Sequence, residues 1–232
     1  MSIKRRNIRI IEINVGLILI LSVISILIAF LLRFDYTVPN ATIEDDLDFL
    51  AENITPQKVS AIAWLIAGLL NLSFLPFYLI LFQRFQKVLL IINGLLILSM
   101  AFIFFKLGLT EFYITQIAGH SFSTTTLIDS QETTIFLLNV KEVVNMLKIG
   151  TSLLGGFATL FTISNFREIR FPVLGSSLAF LGGSILIAFT WINPDHLITT
   201  SALAVTMMGL IIIGAYLVNR GLIKKPVLTN IS

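Results

Sequence analysis

Cysteine is absent from the 232-residue chain, so disulfides, thiolate metal sites, iron–sulfur clusters and cysteine nucleophiles are excluded. Histidine occurs only twice, which argues against paired-imidazole haem ligation and multi-histidine metal centres. Charge is scarce too. Asp, Glu, Lys and Arg make up 12% of residues, against about 25% in soluble domains, too few to cover a water-facing surface. The long apolar runs contain no Asp, which removes aspartyl intramembrane proteolysis. His-Glu-x-x-His is missing, and with it the zincin mechanism. Gly175-Ser176-Ser177 lacks the pattern of a rhomboid-type nucleophile, and the short basic loops lack the Asp-rich motifs of prenyl- or phosphatidyl-transferases.

What is abundant is apolar sequence. Hydrophobic residues are 56% of the chain and mean hydropathy is +0.94. A helix needs roughly 20 mostly apolar residues to cross a hydrocarbon core of about 30 Å. Six runs qualify: Ile13–Leu32, Ala61–Phe82, Val88–Gly108, Val143–Ile163, Pro172–Trp191 and Ile198–Val218. They are continuous rather than alternating, which favours helices over a β-barrel. The expectation is an all-α, polytopic six-transmembrane-helix bundle forming one domain over residues 1–232. The first run is read as a permanent span, because Arg33-Phe34-Asp35-Tyr36 after it is no small-residue cleavage site.

Charge asymmetry sets the expected orientation. Eleven of the sixteen Lys and Arg fall on the side of the two termini, and eleven of the thirteen acids on the other. Basic short loops stay cytoplasmic, so both termini are expected inside a cell membrane, against its anionic inner leaflet. The basic pI is therefore topological and points to no nucleic acid. Two outer segments are long, residues 33–60 with the acidic Glu44-Asp45-Asp46-Leu47-Asp48, and residues 109–142. The expectation there is solvated loop with an interfacial helix. Asn40-Ala41-Thr42 and Asn53-Ile54-Thr55 match glycosylation sequons, with chance as the default explanation.

Polar residues inside the spans share faces. Lys141, Asn145, Lys148, Ser152, Gly155, Thr159 and Thr162 follow steps of four and three, one stripe along the fourth span. Asn14, Asn71 and Asn93 add intramembrane amides on the first three spans. Such a stripe is either a polar pathway or a packing face where small residues let helices approach and hydroxyls bond across them. Lys148 is expected to snorkel toward the outer boundary, with Glu111, Glu132 and Glu142 as candidate partners. On the outer face Asp195-His196, His120, Asp129 and Glu132 carry the right atoms for a cation or a general base. Asn193-Pro194-Asp195-His196 is equally what a tight turn contains, and no metal site is expected.

Arg170-Phe171-Pro172-Val173-Leu174-Gly175, opening the fifth span after a short basic loop, resembles a feature of a family of six-helix prokaryotic integral membrane proteins of unknown function. In that family a basic loop leads into Pro-x-x-Leu-Gly, whereas this chain has Pro-x-Leu-Gly, one residue shorter. Length, six spans and a long first outer loop are similar as well. The resemblance implies the fold and supplies no activity. The functional expectation is a structural or accessory membrane subunit, with no enzyme activity and no cofactor, meeting a membrane-protein partner or a second copy of itself. A small-solute or ion transporter using the fourth-span stripe is the alternative, and an outer-face enzyme on Asp195, His196 and His120 a second one.

Overall fold

The computed structural model describes the backbone of residues 3–32, 52–82, 87–123, 130–165, 171–192 and 197–223. It describes the side chains of residues 8–32, 52–82, 87–117, 135–163, 171–192 and 198–223. Among these the regular structure is six helices: α1 Ile3–Leu32, α2 Ile54–Leu81, α3 Lys87–Ser123, α4 Ser130–Asn165, α5 Val173–Phe189 and α6 Leu197–Leu222. Five are long and apolar enough to cross a membrane; α5, with 17 residues, is a shorter apolar helix of about 25 Å.

Each helix packs on its neighbours in sequence, and α1 packs on α6, so the six close into a ring. Consecutive helices run antiparallel. The near end holds the start of α1 and the finish of α6, joined by an ion pair between Arg220 Nε and Glu12 Oε1 at 3.1 Å. At the far end the last turn of α1 meets the first turns of α2. The surface is what lipid requires. Leu17, Leu21, Leu31, Leu69, Leu95, Phe102, Leu138 and Met208 are exposed, while Ser22, Asn71, Asn93, Glu111, Thr162 and Thr206 are buried. Apolar outside and polar inside is a membrane arrangement, because water would leave that exterior as one vast apolar patch.

Small residues set the spacing between the walls. A Cβ on Gly108 would lie 2.7 Å from the Ala61 carbonyl oxygen, and one on Gly68 3.0 Å from the Ala101 carbonyl oxygen, so α2 and α3 touch backbone to backbone. Gly16 of α1 faces Gly214 of α6, where an added Cβ would sit 2.5 Å from the Gly214 oxygen. On α5, Gly175 and Gly182 face α6 while Gly183 faces α4. A 17-residue helix is thus gripped on two sides by contacts only glycine permits.

The helices overrun the expected spans, chiefly at the far end. α3 continues from the expected Gly108 to Ser123 and α4 begins at Ser130 rather than Val143, so most of the expected 109–142 outer loop is helix. The chain contains no proline between Pro76 and Pro172, and nothing there stops the helices once polarity rises. Lys106 and Glu142, an ion pair on the surface, tie α3 to α4 near where the apolar runs end. In the expected 33–60 segment, residues 54–60 form the first turns of α2, and residues 33–51 lie outside the described residues.

Candidate functional site

The fourth-helix stripe divides in two. At its far-end half Lys141 and Asn145 are exposed and Lys148 is half-buried, while Val143, Met146, Leu147 and Gly150 turn inward. In its near-end half Gly155 and Thr159 face α5. A Cβ on Gly183 would lie 2.6 Å from the Gly155 oxygen and 2.7 Å from Thr159 Oγ1. Thr162 is buried and its hydroxyl lies within bonding distance of the Ala158 and Thr159 carbonyls of its own helix, at 3.0 and 2.8 Å. Ser152 Oγ and Thr159 Oγ1 are enclosed without a hydrogen-bond partner among the described residues.

The middle of the ring, in its near-end half, is filled by aromatic side chains. Phe74 and Tyr78 of α2 and Phe82, which caps it, recur every four residues and so stack on one face. They reach across to α4, with ring centroids 6.1 Å apart for Phe74 and Phe157, 6.0 Å for Tyr78 and Phe161, and 5.6 Å for Phe82 and Phe161. Phe161 meets Phe171 at 5.4 Å, and Phe171 meets Tyr216 of α6 at 6.4 Å. This accounts physically for the Phe171-Pro172-Val173-Leu174-Gly175 segment. Phe171 is an anchor in the aromatic core, Pro172 starts α5, Leu174 faces outward and Gly175 lets α5 settle on Ile212 and Gly209.

Toward the far end lies a cluster of buried polar groups from three helices. Gln57, Ser60 and Trp64 share a face of α2 and are 2%, 0% and 0% exposed; Glu111 of α3, also fully buried, faces them. Ser60 Oγ lies 2.8 Å from Glu111 Oε2 and 3.0 Å from the Ala29 carbonyl oxygen of α1. Gln57 Nε2 donates to the Leu32 carbonyl at 3.4 Å. Gln57 Oε1 and Trp64 Nε1 are enclosed without a hydrogen-bond partner among the described residues. Phe30 and Phe104, with centroids 5.1 and 5.2 Å from Trp64, wall the cluster off from the rest of the core. Placing a carboxylate inside an apolar bundle costs several kcal/mol, roughly, unless its oxygens are matched, which makes this the most chemically loaded part of the interior.

Sequence reasoning treated Glu111 only as a candidate partner of Lys148 and missed Gln57 and Ser60. Leu107, Glu111 and Ile114 are all buried at helical spacing, so a carboxylate in a core position of an apolar period was the signal available. Of the three amides, Asn71 is buried and donates to Ser22 Oγ at 2.9 Å and to the Ala67 carbonyl at 2.8 Å, Asn93 is fully buried and Asn14 half-buried. They are spread along the bundle rather than gathered. The Asp195, His196, His120, Asp129 and Glu132 constellation falls outside the described side chains, and among the described residues no group of three or more His, Asp and Glu comes together. A shallow groove of about 220 Å³ between α2 and α3, lined by Gly68, Leu69, Leu72, Ala101, Phe102 and Phe105, opens toward the lipid and is wholly apolar. It offers nothing to bind a polar solute.

Compared with known family models, curated proteins and solved structures, the chain matches none.

Proposed function

We propose that this multi-pass helical bundle is a structural or accessory membrane subunit, without catalytic activity of its own, that acts through its packed surface. The observation that carries the reading is the aromatic crossing from α2 through Phe161 and Phe171 to Tyr216, which occupies the place a polar route along α4 would need. The glycine contact between Gly155 and Gly183 supports the same reading, since it uses the stripe as a helix-packing face. The stripe's exposed half, Lys141, Asn145 and the stem of Lys148, is where a partner membrane protein or a second copy would find polar groups to bond at the membrane boundary.

The charge asymmetry of the sequence supports cytoplasmic termini in a cell membrane with an anionic inner leaflet, and the near end is then the cytoplasmic one. The Pro-x-Leu-Gly resemblance adds support for a six-helix membrane protein of prokaryotic type.

Purified protein reconstituted in liposomes tests the functional proposal. Entrapped sugars, amino acids and monovalent ions are expected to leak no faster than from protein-free vesicles. Saturable flux that is lost on Thr159→Phe would replace this reading with the transporter one.

A further inference from the structure

We propose that the seam between α2 and α3 holds one anionic phospholipid, its phosphate over Lys58 and Tyr113 and the end of an acyl chain in the groove floored by Gly68 and Ala101. The site is built from helical register. Lys58, Ile62, Leu65, Leu69 and Leu72 follow steps of four and three, one stripe along α2. Phe102, Leu109 and Tyr113, in steps of seven and four, make the matching stripe on α3. Ile62, Leu69, Leu72, Phe102, Leu109 and Tyr113 are exposed, so both stripes face lipid. Two contacts fix the relative height of the helices. A Cβ on Gly108 would lie 2.8 Å from Leu65 Cγ, and Ser60 Oγ lies 2.8 Å from Glu111 Oε2. Because the helices run antiparallel, Lys58, two residues before Ser60, is level with Tyr113, two residues after Glu111. Toward the near end the same stripes border the groove at Leu69, Leu72 and Phe102.

The occupant follows from the chemistry at the two ends of this track. Lys58 is exposed, lies just outside the apolar run that begins at Ala61, and has no ion-pair partner among the described residues. Its ammonium stands at headgroup height with its charge unmatched, and a tyrosine at that level is what the membrane–water boundary favours. The groove is wholly apolar and opens outward, so it takes hydrocarbon. The separation of the two decides for a lipid. Lys58 to Leu69 is eleven residues, about 16 Å of helix, and half of a hydrocarbon core of about 30 Å is about 15 Å. A phosphate held at Lys58 therefore brings the end of its own acyl chain to the groove. An anionic headgroup fits better than a zwitterionic one, whose own cation competes with Lys58 for the phosphate.

The test uses the full-length protein with Trp191→Phe, which leaves the fully buried Trp64 as a constant background. Phe105→Trp then puts a reporter in the groove, and Met208→Trp puts one on the exposed face of α6 as the control. Each is reconstituted in phosphatidylcholine containing increasing fractions of phosphatidylglycerol or phosphatidylcholine brominated on the acyl chains. Quenching of the groove reporter is expected to favour phosphatidylglycerol about fivefold, the factor one lysine near the surface contributes. Met208→Trp should show no preference. Lys58→Gln should bring the groove ratio to one and Lys58→Arg should keep it. If Phe105→Trp does not fold, Phe102→Trp, which is 67% exposed, replaces it. Equal curves for the two headgroups in the groove would overturn the proposal, since the seam would then hold only exchanging boundary lipid. So would a preference that survives Lys58→Gln, or a groove reporter that brominated lipid does not quench, which would mean that a partner helix or a second copy covers it. None of these readouts depends on flux, so failure here leaves the functional proposal standing.

Discussion

Lys148 and Arg220 are both cations on the wall of an apolar bundle, and their surroundings predict opposite responses to removal. Lys148 is half-buried beside exposed Asn145 and has no ion-pair partner among the described residues. Of its sequence candidates, Glu142 pairs with Lys106, Glu111 lies against Ser60, and the side chain of Glu132 is not described. Its amine is best accommodated by snorkelling, so Lys148→Met should leave unfolding in detergent unchanged or slightly harder. Arg220 faces a Glu12 carboxylate whose side chain is only 7% exposed, while Arg220 itself is 41% exposed and partly screened. Arg220→Met should therefore cost about 1–2 kcal/mol, less than the 3–5 kcal/mol typical of a fully buried pair. The same melting curves check both. Neither environment was legible in full from the sequence. The Lys148 stripe could be read from its spacing, but Glu12 and Arg220 stand at opposite ends of the chain, and only ring closure brings them together. Glu111 was hidden for a different reason, since it lies just past an apolar run and looked like the start of a loop.

At the scale of the element, the helices' existence and order followed directly from six continuous apolar runs, and their ends did not. Hydropathy detects the part of a helix that must sit in hydrocarbon. It is blind to the turns of α3 beyond Gly108 and of α4 before Val143, which persist because no proline or cap interrupts them. Packing faces were half legible. Gly155 and Gly183 could each be singled out as small residues, yet which neighbour they touch depends on the ring. That contact predicts a sharp contrast. Gly183→Ala places a methyl 2.6 Å from the Gly155 backbone oxygen, which cannot yield without moving a helix, and should destabilise by about 1–3 kcal/mol. Gly156→Ala meets only Leu96 methyls at 3.8 and 3.9 Å, ordinary contact, and should be neutral or stabilise by up to about 1 kcal/mol through helix propensity. Guanidinium-free thermal unfolding of the two variants, side by side, checks the contrast.

For the whole molecule, six antiparallel helices put the start of α1 and the finish of α6 at one end, and the proposal that this end is cytoplasmic rests on the distribution of Lys and Arg. Cysteine introduced at Asp46 should be labelled by an impermeant thiol reagent on intact cells, and cysteine at Ser2 or Ser232 only after lysis; the reverse pattern would invert the orientation. The central claim is that the near-end half of the polar stripe of α4 is spent on packing and the ring's middle on aromatic fill. The cysteine-free background permits its most direct measurement, the rate at which a small, water-soluble thiol reagent modifies Thr159→Cys in the reconstituted protein, with Lys141→Cys as the exposed reference. Thr159 Oγ1 is enclosed between α4 and Gly183 of α5, so the account predicts that Thr159→Cys stays unmodified until the protein is denatured. Modification of Thr159→Cys in the native state at a rate near that of Lys141→Cys would reveal water along the stripe and contradict it.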